Sequence, residues 1–142
     1  MPTSGEPPEL LVDTSVAVAL LVEDHEHHAH TVQSIGGRRL GLAGHAAYET
    51  FSVLTRLPSP ARRSPATIAQ AMTANFPATR FLSSAAAGRL LQSAVSLGIA
   101  GGSVYDALVA ATAAEHGVPL ASRDRRALVT YRALDIDVEL LD

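Results

Sequence analysis

Short apolar runs alternate with helix-like stretches along almost the whole chain, and this rhythm limits the possible folds more than any other feature. Glu9 to Val12, Arg39 to Ala43, Thr79 to Leu82, Val118 to Ser122 and Val138 to Leu141 each read as a brief buried strand. The segments between them carry helical periodicity and helix end signals. Thr14 or Ser15 caps a helix running through Val22, and a second covers His27 to Ile35 before Gly36-Gly37. Gly44 to Leu57 reads as the third, stopped by Pro58-Ser59-Pro60. Ser64-Pro65 starts another that reaches about Asn75, with proline at the first helical position, where its missing N–H costs nothing. Ser84 caps a helix closing at Gly98, Ser103 caps one stopping at Gly117, and Arg125 to Tyr131 forms a short last one. Strands separated in this way predict an α/β fold: a mainly parallel sheet with helices on both faces.

Composition narrows the class. The 142 residues suit one domain, expected to span 9–142 behind a flexible leader of residues 1–8. That leader lacks the basic and apolar regions of a signal peptide. No apolar run approaches the ~20 residues of a membrane span. Cysteine is absent, which excludes disulfides, thiol catalysis and thiolate metal sites and suits a cytoplasmic protein. The net charge of -3 argues against a nucleic-acid binder that works by bulk positive charge. All eleven basic residues are arginine. Coding bias explains that, and so does a need for planar forks that grip phosphate. Arg123, Arg125 and Arg126 draw attention because they flank an aspartate.

Four carboxylates, Asp13, Glu49, Asp106 and Asp124, sit at the rims of apolar segments. Parallel sheets bind ligands beyond the carboxyl ends of their strands. Asp13 and Asp124 both follow strands, and Glu49 and Asp106 are expected in the first turns of helices starting at the same edge. If the four converge, like charges in a partly dry pocket repel by several kcal/mol. Protonation relieves this, as does a hard cation with oxygen ligands such as Mg²⁺ or Mn²⁺. Each acid also has a purely structural reading. Asp13 can cap the first helix, Ser103-Val-Tyr-Asp106 matches a capping box, Glu49 can be a solvated helix residue, and Asp124 can open a turn. The set, rather than any member, points to metal-assisted chemistry on phosphate.

These residues stand in blocks that resemble a known family. Leu-Val-Asp13-Thr-Ser-Val, Tyr-Glu49-Thr-Phe-Ser-Val-Leu-Thr-Arg-Leu, Tyr-Asp106-Ala-Leu-Val-Ala-Ala-Thr-Ala and Leu-Ala-Ser-Arg-Asp124-Arg-Arg-Ala are similar to the four signature blocks of PIN-domain nucleases. The likeness is greatest to the VapC toxins of type II toxin–antitoxin pairs. It implies a PIN-like three-layer α/β/α sandwich and a Mg²⁺- or Mn²⁺-dependent endoribonuclease that cuts structured RNA and inhibits translation. Asp13 and Asp106 would be the primary metal ligands and Asp124 would complete the set. Glu49 would bind a second ion or orient the attacking water. Ser15 and Ser122 match hydroxylic positions that support the site. A VapB-like antitoxin and a homodimer are the implied partners.

Other features compete for attention. Glu23-Asp24-His25-Glu26-His27-His28-Ala29-His30 places histidines at one-turn spacing, which suits Zn²⁺ or a solvated turn. The six aromatics, Tyr48, Phe51, Phe76, Phe81, Tyr105 and Tyr131, read mainly as core packing. Apolar helices over 14–22 and 46–57 suggest a surface that a second copy could cover. A phosphoaspartate receiver also places acids at strand ends, but it normally needs a lysine, and this chain has none. A PIN-like domain that binds without cutting is the other alternative.

Overall fold

The computed structural model describes residues 5–141, so the expected leader lies partly outside them. Four strands, β1 (Glu9–Val12), β2 (Arg39–Leu42), β3 (Leu120–Ser122) and β4 (Val138–Leu140), form one sheet. Their order is β2-β1-β3-β4 and every pair is parallel. Two helices, α1 (Thr14–Leu21) and α2 (His28–Ile35), connect β1 to β2. Four more, α3 (His45–Thr55), α4 (Pro65–Asn75), α5 (Ser84–Ser93) and α6 (Ser103–His116), carry the chain from β2 to β3. A 3-10 turn at Arg125–Ala127 and α7 (Leu128–Ala133) lead to β4. The α/β sandwich expected from the alternation is the observed architecture.

The two-residue period of β1 builds both halves of the core. Leu10 and Val12 join Val16, Ala17, Ile35, Leu40, Leu42 and Phe76 on one face. Leu11 joins Leu120, Val109, Ala110, Ala113, Leu128 and Tyr131 on the other. Successive side chains of a strand point to opposite faces, so a strand covered on both must be apolar throughout. Leu10, Leu11 and Val12 are fully buried, each contributing about 2 kcal/mol of transfer free energy.

The expected strand at Thr79 to Leu82 is reduced to a single bridge between Ala43 and Arg80. The segment does run beside β2: Ala78 N–H donates to Leu40 O and Arg80 N–H to Leu42 O. However, the N–H of Leu42 donates to the Thr79 hydroxyl at 3.0 Å instead of to a ladder carbonyl. A side chain therefore replaces the backbone acceptor that a regular strand would supply. This close approach is why β2 contains Gly41, where a Cβ would stand 2.2 Å from the backbone of Ala78. The fifth helix also differs from expectation. Ser83, not Ser84, caps it by accepting from the N–H of Ala86, and it ends at Ser93, short of Gly98.

Candidate functional site

β1 and β3 lie side by side, but β1 continues towards β2 and β3 towards β4. Connections that leave on opposite sides open a crevice at the carboxyl ends of the two strands. Asp13 directly follows β1, and Asp124 stands just beyond β3. Asp13 N–H donates to Ala121 O at 3.2 Å, which ties the two strand ends together. Asp106 lies in the first turn of α6, as expected. Glu49 lies one turn deeper in α3 than expected, since that helix has no acid in its first turn. Gly44, at φ +52°, lets α3 start hard against α6: a Cβ there would meet Thr112 Oγ1 at 2.5 Å. Asp13, Glu49, Asp106 and Asp124 thus line one small cavity of about 60 Å³, together with Thr14, Ser15, Val109 and Tyr131.

Asp13 is the most constrained member. It, and not Thr14 or Ser15, caps α1, its Oδ1 accepting from the N–H of Val16 at 3.3 Å. Ser15 Oγ donates to the same oxygen at 2.5 Å. Tyr131, on α7, donates its hydroxyl to Oδ2 at 2.8 Å. Burial pushes the Asp13 carboxyl above its ordinary range, while the hydroxyls of Ser122, Ser15 and Tyr131 and the N–H of Val16 pull the other way. The phenol of Tyr131 is itself pushed up, by burial first and then by the adjacent Asp13. Burial outweighs these donors, so the carboxyl holds its proton more readily than a free aspartate unless a nearby positive charge offsets the desolvation.

The other three acids are held unequally. Thr14 Oγ1 donates to Glu49 Oε2 at 3.2 Å, and His45 Nε2 lies 3.1 Å from Glu49 Oε1. Asp124 caps the 3-10 turn, accepting from Arg126 N–H at 3.0 Å and from Arg126 Nε at 3.3 Å. The capping box expected at Ser103 does not form. That hydroxyl turns back to Ala100, donating to its carbonyl at 2.7 Å and accepting from its N–H at 3.2 Å. Asp106 is therefore not a capping residue, and no described residue donates a hydrogen bond to it. Its carboxyl is pushed up by burial first, then by Asp124, Glu49 and Asp13, with Arg126 opposing.

The donor set is all oxygen, negatively charged and mutually repelling, which suits a hard divalent cation. Among the described residues, no three His, Asp or Glu side chains are yet drawn closely enough to hold an ion. Glu49 is engaged by His45 and Thr14, and Asp124 by Arg126. The same finding removes support for zinc at the His25–His30 run. There His28 Nδ1 lies 2.9 Å from Ala19 O, and His30 Nδ1 lies 3.4 Å from Arg123. A larger cleft, about 920 Å³, opens near the start of β1. Its Glu9 already pairs with Arg80 at 2.8 Å, and it offers no comparable convergence of unneutralised acids.

Two residues of this site escaped the sequence reading. His45 is signalled only by its four-residue spacing from Glu49. Tyr131 is signalled by its hydroxyl, since a buried phenol needs a partner. The aromatics also correct an expectation. Tyr48, Phe81 and Tyr105 are exposed, with Tyr48 and Phe81 centroids 6.1 Å apart, and Tyr105 stacks on His45 at 4.9 Å. In contrast, α1 is absorbed by the core, where Val16 and Ala17 are buried and Leu20 and Leu21 pack beside them.

A family model described as "PIN domain" matches residues 10–133. The chain is 47% identical over 131 residues to Ribonuclease VapC27 of Mycobacterium tuberculosis, covering 92% of this chain and 96% of that protein. It is 40% identical over 131 residues to Ribonuclease VapC40 of the same species, covering 91% and 96%. The fold is similar to that of VapBC2 from Rickettsia felis bound to a DNA fragment from their promoter. The TM-score is 0.68 at 12% identity, over 94% of this chain and 99% of that one. DNA-bound VapBC from Salmonella typhimurium gives a TM-score of 0.67 at 14% identity, over 95% and 99%.

Proposed function

The chain belongs to the PIN-domain family, and from that premise we propose that it is a divalent-cation-dependent endoribonuclease, the toxin of a VapBC-like toxin–antitoxin pair. The observation that carries this reading is the convergence of Asp13, Glu49, Asp106 and Asp124, separated by up to 111 positions, on one cavity. Residues 9–142 act as one nuclease domain. Asp13, Asp106 and Asp124 are the metal ligands. The ion is Mg²⁺ or Mn²⁺, which when bound would neutralise phosphoryl oxygens and lower the pKa of its water.

The residues divide the remaining work. Asp13, pinned through both oxygens, is the fixed reference point. Asp106, unsupported by any described donor, gains most from an added positive charge. Glu49 orients the attacking water and accepts its proton, with His45 beside it to steady the carboxylate. Arg126, beside Asp124, can hold an adjacent phosphate through its fork. Water attacks phosphorus in line, the P–O3′ bond breaks and the departing 3′ oxygen takes a proton from solvent water, leaving a 5′-phosphate and a 3′-hydroxyl. Without a cation the cavity repels RNA, so substrate binding should itself be metal-dependent. Selectivity for structured RNA then rests on shape and on unstacked bases.

The partners follow from the same reading. A VapB-like antitoxin would block the cleft, and a homodimer would cover exposed apolar residues such as Leu91, Val95 and Leu97. No described helix is long and apolar enough to cross a membrane, which is compatible with work on RNA in the cytoplasm. Incubation with total RNA, with Mn²⁺ or with chelator, tests the activity. Metal-dependent fragments with 5′-phosphate ends, absent for Asp13→Ala and Asp106→Ala proteins that still fold, are expected. Binding of RNA without cleavage under every metal condition would overturn the nuclease reading.

A further inference from the structure

The geometry points to Tyr131 as a positioning residue that clamps the Asp13 carboxylate for its cation, an inference that rests on the metal-dependent reading above. Asp13 is anchored at Oδ1 by its own helix, through Ser15 Oγ and Val16 N–H. The Ser122 hydroxyl, at the end of β3, adds a further hydrogen bond to the carboxylate. The second oxygen is reached from across the sheet by Tyr131, 118 positions later, at 2.8 Å. A carboxylate held through both oxygens has a defined plane, and its remaining lone pairs have a defined direction. Such outer contacts commonly govern metal affinity 10- to 100-fold.

Tyr131 is suited to this role in a way that the neighbouring hydroxyls are not. Its ring is packed in the cluster of Leu11, Val109, Ala110 and Leu128, and its exposure is 1%. Packing alone would be served by phenylalanine, because burying a hydroxyl without a partner is costly. Among the described residues, Asp13 is the only hydrogen-bond partner of the Tyr131 hydroxyl. The hydroxyls of Ser15 and Ser122 each also accept a backbone N–H, from Arg123 and Asp124 respectively. Removing either serine hydroxyl disturbs the loop as well as the carboxylate. Removing the phenolic oxygen changes only the clamp.

Tyr131→Phe is the test, read first by calorimetric titration of Mn²⁺ into metal-free protein without RNA. The expected result is a folded variant whose Mn²⁺ dissociation constant is raised about tenfold. Its RNA cleavage should be depressed at limiting Mn²⁺ and largely recovered at saturating Mn²⁺, where the KM for RNA should match that of the unaltered protein. Should this variant fail to fold, tyrosine labelled at ¹³Cζ in the unaltered protein carries the test. Mg²⁺ should then shift the resonance of the buried Tyr131, and do so with the midpoint that calorimetry gives for Mg²⁺ binding. Saturable Mn²⁺ binding in the unaltered protein with an unchanged constant in Tyr131→Phe would overturn the clamp and leave the nuclease reading standing. A Tyr131 resonance indifferent to saturating Mg²⁺ would do the same. No saturable metal binding in the unaltered protein would overturn both.

Discussion

The backbone N–H of Arg123 donates to the hydroxyl of Ser15 at 2.8 Å, across 108 positions of sequence. Because the same hydroxyl donates to Asp13, one oxygen joins the loop after β3 to the acid after β1. Ser15→Ala breaks both contacts and leaves a partly buried N–H without its acceptor. We expect a loss of about 1–3 kcal/mol in urea unfolding, the usual cost of such an orphaned group. RNA cleavage at limiting Mn²⁺ should fall in parallel. An unfolding curve superimposable on that of the unaltered protein would show that the bond does not hold the two loops.

Asp106 should be a place where activity is bought with stability. Its carboxyl is crowded by burial and by three other acids, with no described donor to offset them. Replacing it with asparagine removes a repelling charge while keeping the shape. Asp106→Asn should abolish metal-dependent RNA cleavage yet raise the melting temperature measured in chelator. A variant that melts below the unaltered protein in chelator would mean that the four charges do not strain the fold.

The same crowding sets a pH dependence. Burial and neighbouring charges raise the carboxyl pKa of Asp106 in the folded state, and burial does so for Asp13. The folded protein therefore holds more protons than the unfolded chain between the ordinary carboxylate range and those raised values. The stabilising contribution is complete below the unfolded-state pKa and is lost as pH rises through the folded-state pKa. In chelator, the stability advantage of Asp106→Asn over the unaltered protein should shrink on acidification from neutral pH. With Mn²⁺ the trend should reverse, because the ion requires ionised ligands. Thermal melts across pH, with and without metal, read both arms; parallel curves for the two proteins in chelator would refute the assignment.

Gly41 carries a prediction about the sheet rather than the site. A Cβ at this position would lie 2.2 Å from backbone atoms of Ala78, so Gly41→Ala must push β2 and the 78–80 segment apart. Overpacking against immovable backbone costs about 1–3 kcal/mol and sometimes more. The substitution should lower the urea midpoint markedly, with Gly37→Ala, where nothing lies within 4 Å, as the comparison. Equal midpoints for the two variants would contradict the close approach.

Arg38 offers a check that is independent of catalysis. Its guanidinium forms a two-pronged pair with Glu139 on β4, at 2.6 and 3.0 Å, and also donates to the carbonyls of Ile35 and Ser34 at the end of α2. That contact holds the Glu139 carboxyl below its ordinary range. Its contribution is present above the unfolded-state pKa of a glutamate and fades as pH falls through the lower folded-state value. Both partners are partly exposed, so Arg38→Ala should cost only about 1 kcal/mol in chemical unfolding at neutral pH. The rate of RNA cleavage should be unaffected.

Much of this was legible in the chain. Leu10-Leu11-Val12 is apolar without interruption, and only a strand covered on both faces needs that. Pro65 after Ser64, and Gly117 before Pro119, mark helix ends whose chemistry is local. Two of the misreadings fall where a side chain competes with the backbone. Thr79 takes an N–H that a strand carbonyl would have taken, and Ser103 turns to Ala100 rather than towards Asp106. Local sequence offers both options in each case, and only the neighbouring element selects between them.

Apolar spacing, breakers and acids placed after buried runs were enough, by themselves, to determine a parallel α/β sandwich with an acidic edge, because these are signals that each segment carries alone. Whether Asp13 would be buried, which donors would reach it, and that Tyr131 would close over it from α7 were decided only in three dimensions. Those contacts depend on strand order and on how closely α3 approaches α6, and such distances are set jointly by segments that are remote along the chain.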